Sequence, residues 1–387
     1  MRDLKFAVIG GGFMGKAHSI ALASYPMYFW PTELYPVREL IVEINDELAA
    51  ESQKRFGFNR AGTDWRAAVE DPDIDVVDIL VPNVLHYDVV MAAIRAGKHV
   101  ICEKPLALTA ELAREMADAA DDAGIVNQVG FNWRLTPAVQ QAKKLIDEGA
   151  LGDIRYIRSH WQGEFFNDPS VPLLWRFKKD QAGSGALGDL GSHAIDFSRF
   201  LCGEITNVQG LQQRFVSRRP LPNGSGEGDV DVDDTTNFQV MFDSGAIGYV
   251  ESTWSAPGKK TSAGFEVIGS TGSLKFNWER MNELEFYDGR DAEDRQGYRS
   301  ILVGPPHPFG DNFWPIAGYQ IGYAETKVIQ IADFLNAVSG KVERPQTTFR
   351  EGLASTLVEE AVMQSAEAGA WIGVASAGRR EKISEER

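Results

Sequence analysis

The first third of the chain alternates short apolar runs with stretches whose apolar residues recur at helical spacing. The runs KFAVIG (5–10), ELIVEI (39–44), DVVDILVP (75–82), KHVICEK (98–104) and IVNQVGFN (125–132) read as strands. Between them DELAAESQKRF, VLHYDVVMAAIRAG and TAELAREMADAADDAG read as helices, the last two ending in the glycine that a helix C-terminus favours. This alternation predicts a doubly wound parallel sheet with helices on both faces. One segment interrupts it: YPMYFWPTELYP (25–36) places three prolines and five aromatics between the first helix and the second strand. Proline inside a helix removes a hydrogen bond and clashes with the preceding turn, so the segment is expected to be a bulky loop. Its aromatics either pack onto the domain or line a pocket rim.

Beyond residue 150 the pattern shifts to β-branched and aromatic runs separated by glycine-containing turns. IRYIRSHWQG, ITNVQGLQQRFVS, TTNFQVMF, AIGYVESTW, GFEVIGSTGSLKFNW and NELEFYD predict one large, mostly antiparallel open sheet. RRPLPNGSGEGDVDVDD (218–234) is polar and glycine-rich and is expected to be a mobile loop; its acidic end lacks the ligand spacing of an EF-hand. Two helical patterns, ETKVIQIADFLNAVSG and FREGLASTLVEEAVMQSAEAG, precede a tail, GRREKISEER, expected to be frayed. The fold class is therefore α/β: a Rossmann domain over residues 1–133, then an α+β domain over 134–387 carrying the open sheet.

Composition narrows the function classes. The 387 residues are 43% hydrophobic and 24% charged, enough for two cores, and 55 acidic residues against 39 basic give a net charge of −16. That field repels a phosphate backbone, so nucleic acid is not an expected partner. Cys102 and Cys202 lie in apolar runs and are expected to be reduced and packed. The N-terminus enters a strand directly and no run approaches ~18 apolar residues, so a cytoplasmic protein without a membrane segment is expected.

Candidate chemistry begins at GGGFMG. Gly10, Gly12 and Gly15 fit G-x-G-x-x-G after a strand and before a helix, where a dinucleotide's pyrophosphate needs close backbone approach. Glu43, at the end of the second strand, is placed to accept hydrogen bonds from an adenosine ribose. Ile44 and Asn45 follow it without an arginine for a 2′-phosphate, which favours NAD over NADP. The clusters VPNVLH, CEKP and GFNWR fall at ends of parallel strands, where such sheets bind ligands. In GSGALGDLGSHAID (183–196), Asp189, His193 and Asp196 stand at i, i+4 and i+7 and share a face if the stretch is helical. Those residues alone permit a metal site, a proton-transfer site or a capped helix start.

Taken in order, GGGFMG, PNVLH, CEKPLA, WRF and GSGALGDLGSHAID resemble the successive motifs of the Gfo/Idh/MocA oxidoreductase family over roughly the first 200 residues. The resemblance implies a bound nicotinamide cofactor, a Rossmann domain followed by an open-sheet domain, and a homodimer or homotetramer formed through that sheet. By motif, it assigns catalysis to Lys104, Asp189 and His193. It assigns cofactor contacts to Gly10, Gly12, Phe13, Met14, Gly15, Pro82, Asn83, His86, Glu103, Lys104, Asn132, Trp175 and Arg176. GGGFMGKAHS, the aromatic and proline-rich stretch and WRFKKDQAGSGALGDLGSHAID resemble the branch that oxidises ring hydroxyls of sugars and anhydrosugars such as levoglucosan. Inositol dehydrogenases share most of these features and are the alternative.

On that reading His193, with an ordinary pKa of ~6.5, accepts a proton, Lys104 places positive charge at the developing oxygen anion, and Asp189 orients its neighbours. The residues leave open whether Lys104 or His193 takes the proton first. Lys104, Arg134, Trp161, Gln162, Asp189, His193 and Tyr319 are the substrate candidates, with Asp196 in a supporting role. Other classes weighed are a metal-dependent hydrolase, a non-catalytic NAD-binding sugar sensor and an NAD-assisted glycosidase. No H-E-x-x-H or C-x-x-C accompanies the six scattered histidines, so no metal is expected.

Overall fold

A computed structural model describes residues 1–378; the frayed tail expected after Gly378 lies outside the described residues. Six parallel strands, β1 (Arg2–Ile9), β2 (Leu34–Val42), β3 (Arg60–Gly62), β4 (Val76–Ile79), β5 (His99–Cys102) and β6 (Asn127–Val129), form the first sheet in the order β3-β2-β1-β4-β5-β6. The order reverses between β1 and β4, and ligands bind outside the carboxyl ends of strands at such a switch point. Helices α1 (Phe13–Tyr28), α2 (Asp46–Phe56), α3 (Trp65–Glu70), α4 (His86–Arg95), α5 (Ala110–Ala123) and α6 (Pro137–Asp147) follow in chain order. Asn45 and Thr109 cap α2 and α5 through their side chains, and glycines at 57 and 124 close them in left-handed geometry. The short elements β3 and α3 carry too few apolar residues to show a period, and the hydropathy pattern missed both.

The expected bulky loop is much shorter than its prolines suggest. Helix α1 continues through Pro26 to Tyr28, and β2 starts at Leu34. Pro26 forgoes the hydrogen bond that an N–H there would give the Leu22 carbonyl, but it stands only two residues before the helix end, and Phe29 N still donates to the Tyr25 carbonyl. Tyr28 and Phe29 pack against Phe313, so these two rings are used for packing.

The second sheet has nine strands in the order β16-β15-β14-β13-β7-β12-β11-β8-β17. Its members are β7 (Ile154–Gln162), β8 (Ile205–Gln213), β11 (Thr235–Phe242), β12 (Ile247–Thr253), β13 (Ser262–Gly269), β14 (Gly272–Asn277), β15 (Glu283–Asp288), β16 (Arg299–Leu302) and β17 (Ile372–Gly373). Only the β7–β12 pair is parallel. One face is covered by α8 (Ser192–Cys202) and α10 (Phe349–Ala368), and the other is left open.

One expectation fails here. Segment 218–234 is not a free loop: β9 (Arg218–Pro220) and β10 (Glu227–Asp229) pair as a hairpin, and Arg219, Asp233 and Asp234 are buried. These three side chains are consumed by hydrogen bonds inside the protein, which composition does not reveal. Residue 133 lies between the two sheets, and one later helix crosses back over it. Helix α9 (Tyr323–Val338) returns to the first sheet, where Val328, Ile331 and Phe334 join Phe6, Val8 and Leu22 in one cluster.

Candidate active site

The glycine loop joins β1 to α1 at the switch point. Gly10 has a φ of 106° and a Cβ there would stand 2.7 Å from the Leu80 carbonyl oxygen, so the close approach of the two strand ends requires glycine. Gly12 precedes α1 without a side-chain cap, and a Cβ on it would meet nothing within 4 Å. The first-turn N–H groups of α1 therefore face open space, the environment in which a helix N-terminus receives a pyrophosphate. Glu43 lies beside the loop, where Oε1 accepts from Gly11 N (2.8 Å) and from the Ser52 hydroxyl (3.4 Å). This cradle fits a dinucleotide.

A cavity of 980 Å³ runs from the loop to the second sheet. Lys104, at the carboxyl end of β5, donates from Nζ to the Asp189 carbonyl (2.5 Å) and to Asp189 Oδ1 (3.1 Å). Arg176 Nε stands 3.8 Å from the other oxygen of the same carboxylate. Burial alone would raise the Asp189 pKa, but the Lys104 and Arg176 charges outweigh it and hold the pKa below the ordinary value. Asp189 is presented by a π-helical turn, Leu187–Gly191, that runs into α8. The turn is anchored by Asp233, whose Oδ1 accepts from Gly185 N (2.7 Å) and Oδ2 from Leu187 N (2.9 Å).

His193 lies flat on Trp133, with ring centroids 4.7 Å apart. Its Nδ1 is buried without a hydrogen-bond partner, and the ring lines the cavity. Burial, reinforced by the Lys104 charge, pushes its pKa well below 6.5, which corrects the assumption of an ordinary imidazole. The wider π turn also breaks the simple i, i+4, i+7 geometry. Asp196 points away into a buried cluster and forms an ion pair with Arg134, with Arg134 Nε 2.9 Å from its oxygens.

That cluster takes Arg134 out of the substrate set: its guanidinium binds Asp196 and Glu351 instead of facing the cavity. Gln162 and Tyr319 do not line the cavity either, and Tyr319 is 62% exposed. Trp161 does line it, as do Phe13, Met14, Pro82, Asn83 and His86. Asn132, Trp175 and Arg176 also reach it. His86 is held by the Pro105 and Val81 carbonyls (2.9 and 3.0 Å).

Sequence reasoning missed an aromatic wall and a buried charge relay. Trp278 stacks on Trp133 at 3.8 Å between centroids, and Phe165, Phe166 and Tyr323 complete the wall. Beneath Lys104, Glu103 Oε1 accepts from Lys327 Nζ (2.6 Å) and pairs with His18 Nε2 (3.1 Å), while His18 Nδ1 pairs with Asp78 (2.8 Å). Burial would raise the Glu103 pKa, but the Lys327 and His18 charges hold it far below the carboxylate range. Burial would likewise lower the pKa of His18, and Asp78 outweighs it and raises that pKa. Among the described residues no group of three or more His, Cys, Asp or Glu residues could hold a metal ion.

A family signature described as "Oxidoreductase family, NAD-binding Rossmann fold" matches residues 4–131, and one described as "GFO/IDH/MocA C-terminal domain" matches residues 139–275. The chain belongs to the Gfo/Idh/MocA oxidoreductase family. Within the family it is similar to levoglucosan dehydrogenase of Pseudarthrobacter phenanthrenivorans, at 45% identity over 97% of this chain and 99% of the relative. It is also similar to scyllo-inositol 2-dehydrogenase (NAD(+)) of Bacillus subtilis, at 32% identity over 70% of this chain and 73% of the relative. A solved levoglucosan dehydrogenase in complex with NADH and levoglucosan matches with a TM-score of 0.94 and 46% identity, covering 97% of this chain and all of that one. The family's Rossmann and open-sheet domains are those expected from the motifs. Among the described residues no helix is long and apolar enough to cross a membrane.

Proposed function

We propose that this protein oxidises a secondary ring hydroxyl of levoglucosan, or of a closely related anhydrosugar, to the ketone, with NAD as the hydride acceptor. The observation that carries this reading is the meeting of Lys104, Asp189 and His193 in one cavity, in a chain matching levoglucosan dehydrogenase over nearly its whole length. The glycine loop, Glu43, Pro82, Asn83 and Trp175 would hold the dinucleotide, whose nicotinamide would supply a two-electron sink. Glu43 in the cradle, with no arginine in the two residues after it, supports NAD over NADP.

The chain's own residues handle the proton. Lys104, fixed by two contacts to Asp189, directs positive charge to the oxygen as it becomes negative. That charge lowers the basicity the acceptor needs, so His193, neutral and of low proton affinity, can take the proton. The imidazolium so formed is buried beside Lys104 with no partner at Nδ1, which favours release of its proton to solvent once the ketone leaves. The aromatic wall excludes water and covers the apolar edges of the sugar.

The test is NADH formation across levoglucosan, 1,5-anhydroglucitol, glucose, myo-inositol and scyllo-inositol. The expected result is the highest kcat/KM with levoglucosan. Higher kcat/KM with an inositol would favour the second reading, which the scyllo-inositol 2-dehydrogenase relative supports. NAD binding without turnover of any of them would favour a sensor. We also propose a homo-oligomer, a dimer or tetramer, formed through the open face of the second sheet, and a cytoplasmic location.

A further inference from the structure

Arg219 has no place in the chemistry above, yet it is 0% exposed and sits on β9 of the polar hairpin. Among the described residues no carboxylate forms an ion pair with it. Its guanidinium is spent on backbone carbonyls: Nη2 donates to Phe166 O (2.6 Å), and Nη1 donates to Asp168 O (2.8 Å) and, at 3.5 Å, to Val171 O. Its plane lies 4.2 Å over the Phe177 ring, and its Nε has no partner at all. Burying an arginine this way is expensive unless the planar fork is needed for its geometry. Here the fork ties down two carbonyls of one short segment.

That segment, residues 163–168, carries Phe165 and Phe166, which line the cavity. It has little else to fix it on the hairpin side. Opposite, Gly163 N donates to Thr253 O (2.8 Å), Ala256 N donates to Gly163 O (2.9 Å), and Phe166 N donates to Trp254 O (3.3 Å). A Cβ at Gly163 would stand 2.3 Å from the Phe165 ring, so any larger residue there would displace that ring. Phe166 packs edge-on against Phe177 and Trp254, and Asp234 accepts from Trp254 Nε1 (2.7 Å). Both anchors of this frame, Arg219 and Asp234, come from the 218–234 segment.

We propose that Arg219 is a positioning residue for substrate selection: it latches residues 163–168 so that Phe165 and Phe166 form a fixed wall against the sugar. The inference rests on the cavity being a sugar site. A fixed wall matches a rigid ring with few hydroxyls and leaves the hydroxyls of a free sugar or inositol unpaired. A loosened wall discriminates less.

The test compares Arg219→Met and Arg219→Lys with the wild type. In Arg219→Met the KM for the sugar rises by about tenfold, kcat changes less than about threefold, and NADH affinity holds within about twofold. The ratio of kcat/KM for levoglucosan over glucose falls, and Arg219→Lys, which reaches one carbonyl, recovers part of it. Chymotrypsin cleavage after Phe165 or Phe166 accelerates in the variants and not in the wild type, a readout that needs no sugar turnover. A wild type inactive on every sugar, with accelerated cleavage in the variants, overturns the sugar reading and leaves the latch standing. Unchanged KM, selectivity and cleavage in a folded Arg219→Met overturn the latch, as do equal losses in kcat and NADH affinity. Should Arg219→Met not fold, Arg219→Lys is measured in the Phe165→Ala background. There its effect on KM disappears if Arg219 acts through Phe165, and persistence of the full effect overturns the proposal.

Discussion

In the proposed mechanism Lys104 and His193 divide the work by charge state, and that division is testable residue by residue. Replacing Lys104 with Met removes the charge facing the nascent oxygen anion, and replacing His193 with Ala removes the proton acceptor. Each is expected to lower kcat by a factor on the order of 10² or more while NADH binding, followed by nicotinamide fluorescence, is retained. Near wild-type turnover in both would remove them from the chemistry. The pH dependence follows from the His193 environment. A base is active in its neutral form, and burial beside Lys104 keeps His193 neutral to well below pH 6.5. Activity is therefore lost only as pH falls through that depressed value, so the acid limb of kcat/KM lies below 6.5. An acid limb at or above 6.5 that His193→Asn abolishes would contradict this. Lys104, Asp189 and His193 line one cavity, and they were legible as candidates because each belongs to a short motif at the end of a strand or the start of a helix. The motifs could not show the imidazole's proton affinity, which depends on Trp133 stacking and on a lysine 89 positions earlier in the chain.

At the level of elements, α9 is the least foreseeable. Its amphipathic pattern marked a helix, but nothing local indicated that it would return to the first sheet and thrust Lys327 under Glu103. That contact spans 224 residues. The hairpin at 218–229 was hidden for the converse reason, since polar residues read as solvent-facing unless their burial is known. Lys327 makes the point quantitative. Burial lowers its pKa against the pull of Glu103, so the pair is a desolvated one whose partners depend on each other. Lys327→Met leaves Glu103 and Asp78 buried with only His18 for compensation. The expected loss is roughly 3–5 kcal/mol of unfolding free energy, read from denaturant curves without cofactor. A loss below about 1 kcal/mol would mean that Glu103 simply takes up a proton in the variant.

For the whole molecule, the two sheets face the cavity from opposite sides, and the helices that carry Asp189 and His193 occupy the covered face of the second. The other face of that sheet is left without a layer; across β7, β13, β14 and β15 it carries Arg158, Glu266, Lys275 and Glu285, whereas its β8–β11–β12 part is poor in charge. Across β8, β11 and β12 the register aligns Asn207, Met241 and Ile247, then Gln209, Gln239 and Tyr249, then Leu211, Asn237 and Glu251. Nine positions carry one charge, in a chain that is 24% charged with a net −16. Leu211, Met241 and Ile247 are exposed there. Charge depletion with exposed aliphatic and amide side chains is the signature of an interface core, and self-association would cover the patch without touching the cavity. Light scattering at micromolar concentration is therefore expected to give a multiple of 42.7 kDa. Met241→Lys with Gln239→Lys buries two cations in each copy's contact and should shift the mass to the single chain, with kcat retained if each cavity is complete in itself. A wild type that runs as a single chain would leave the open face without its partner and refute the association.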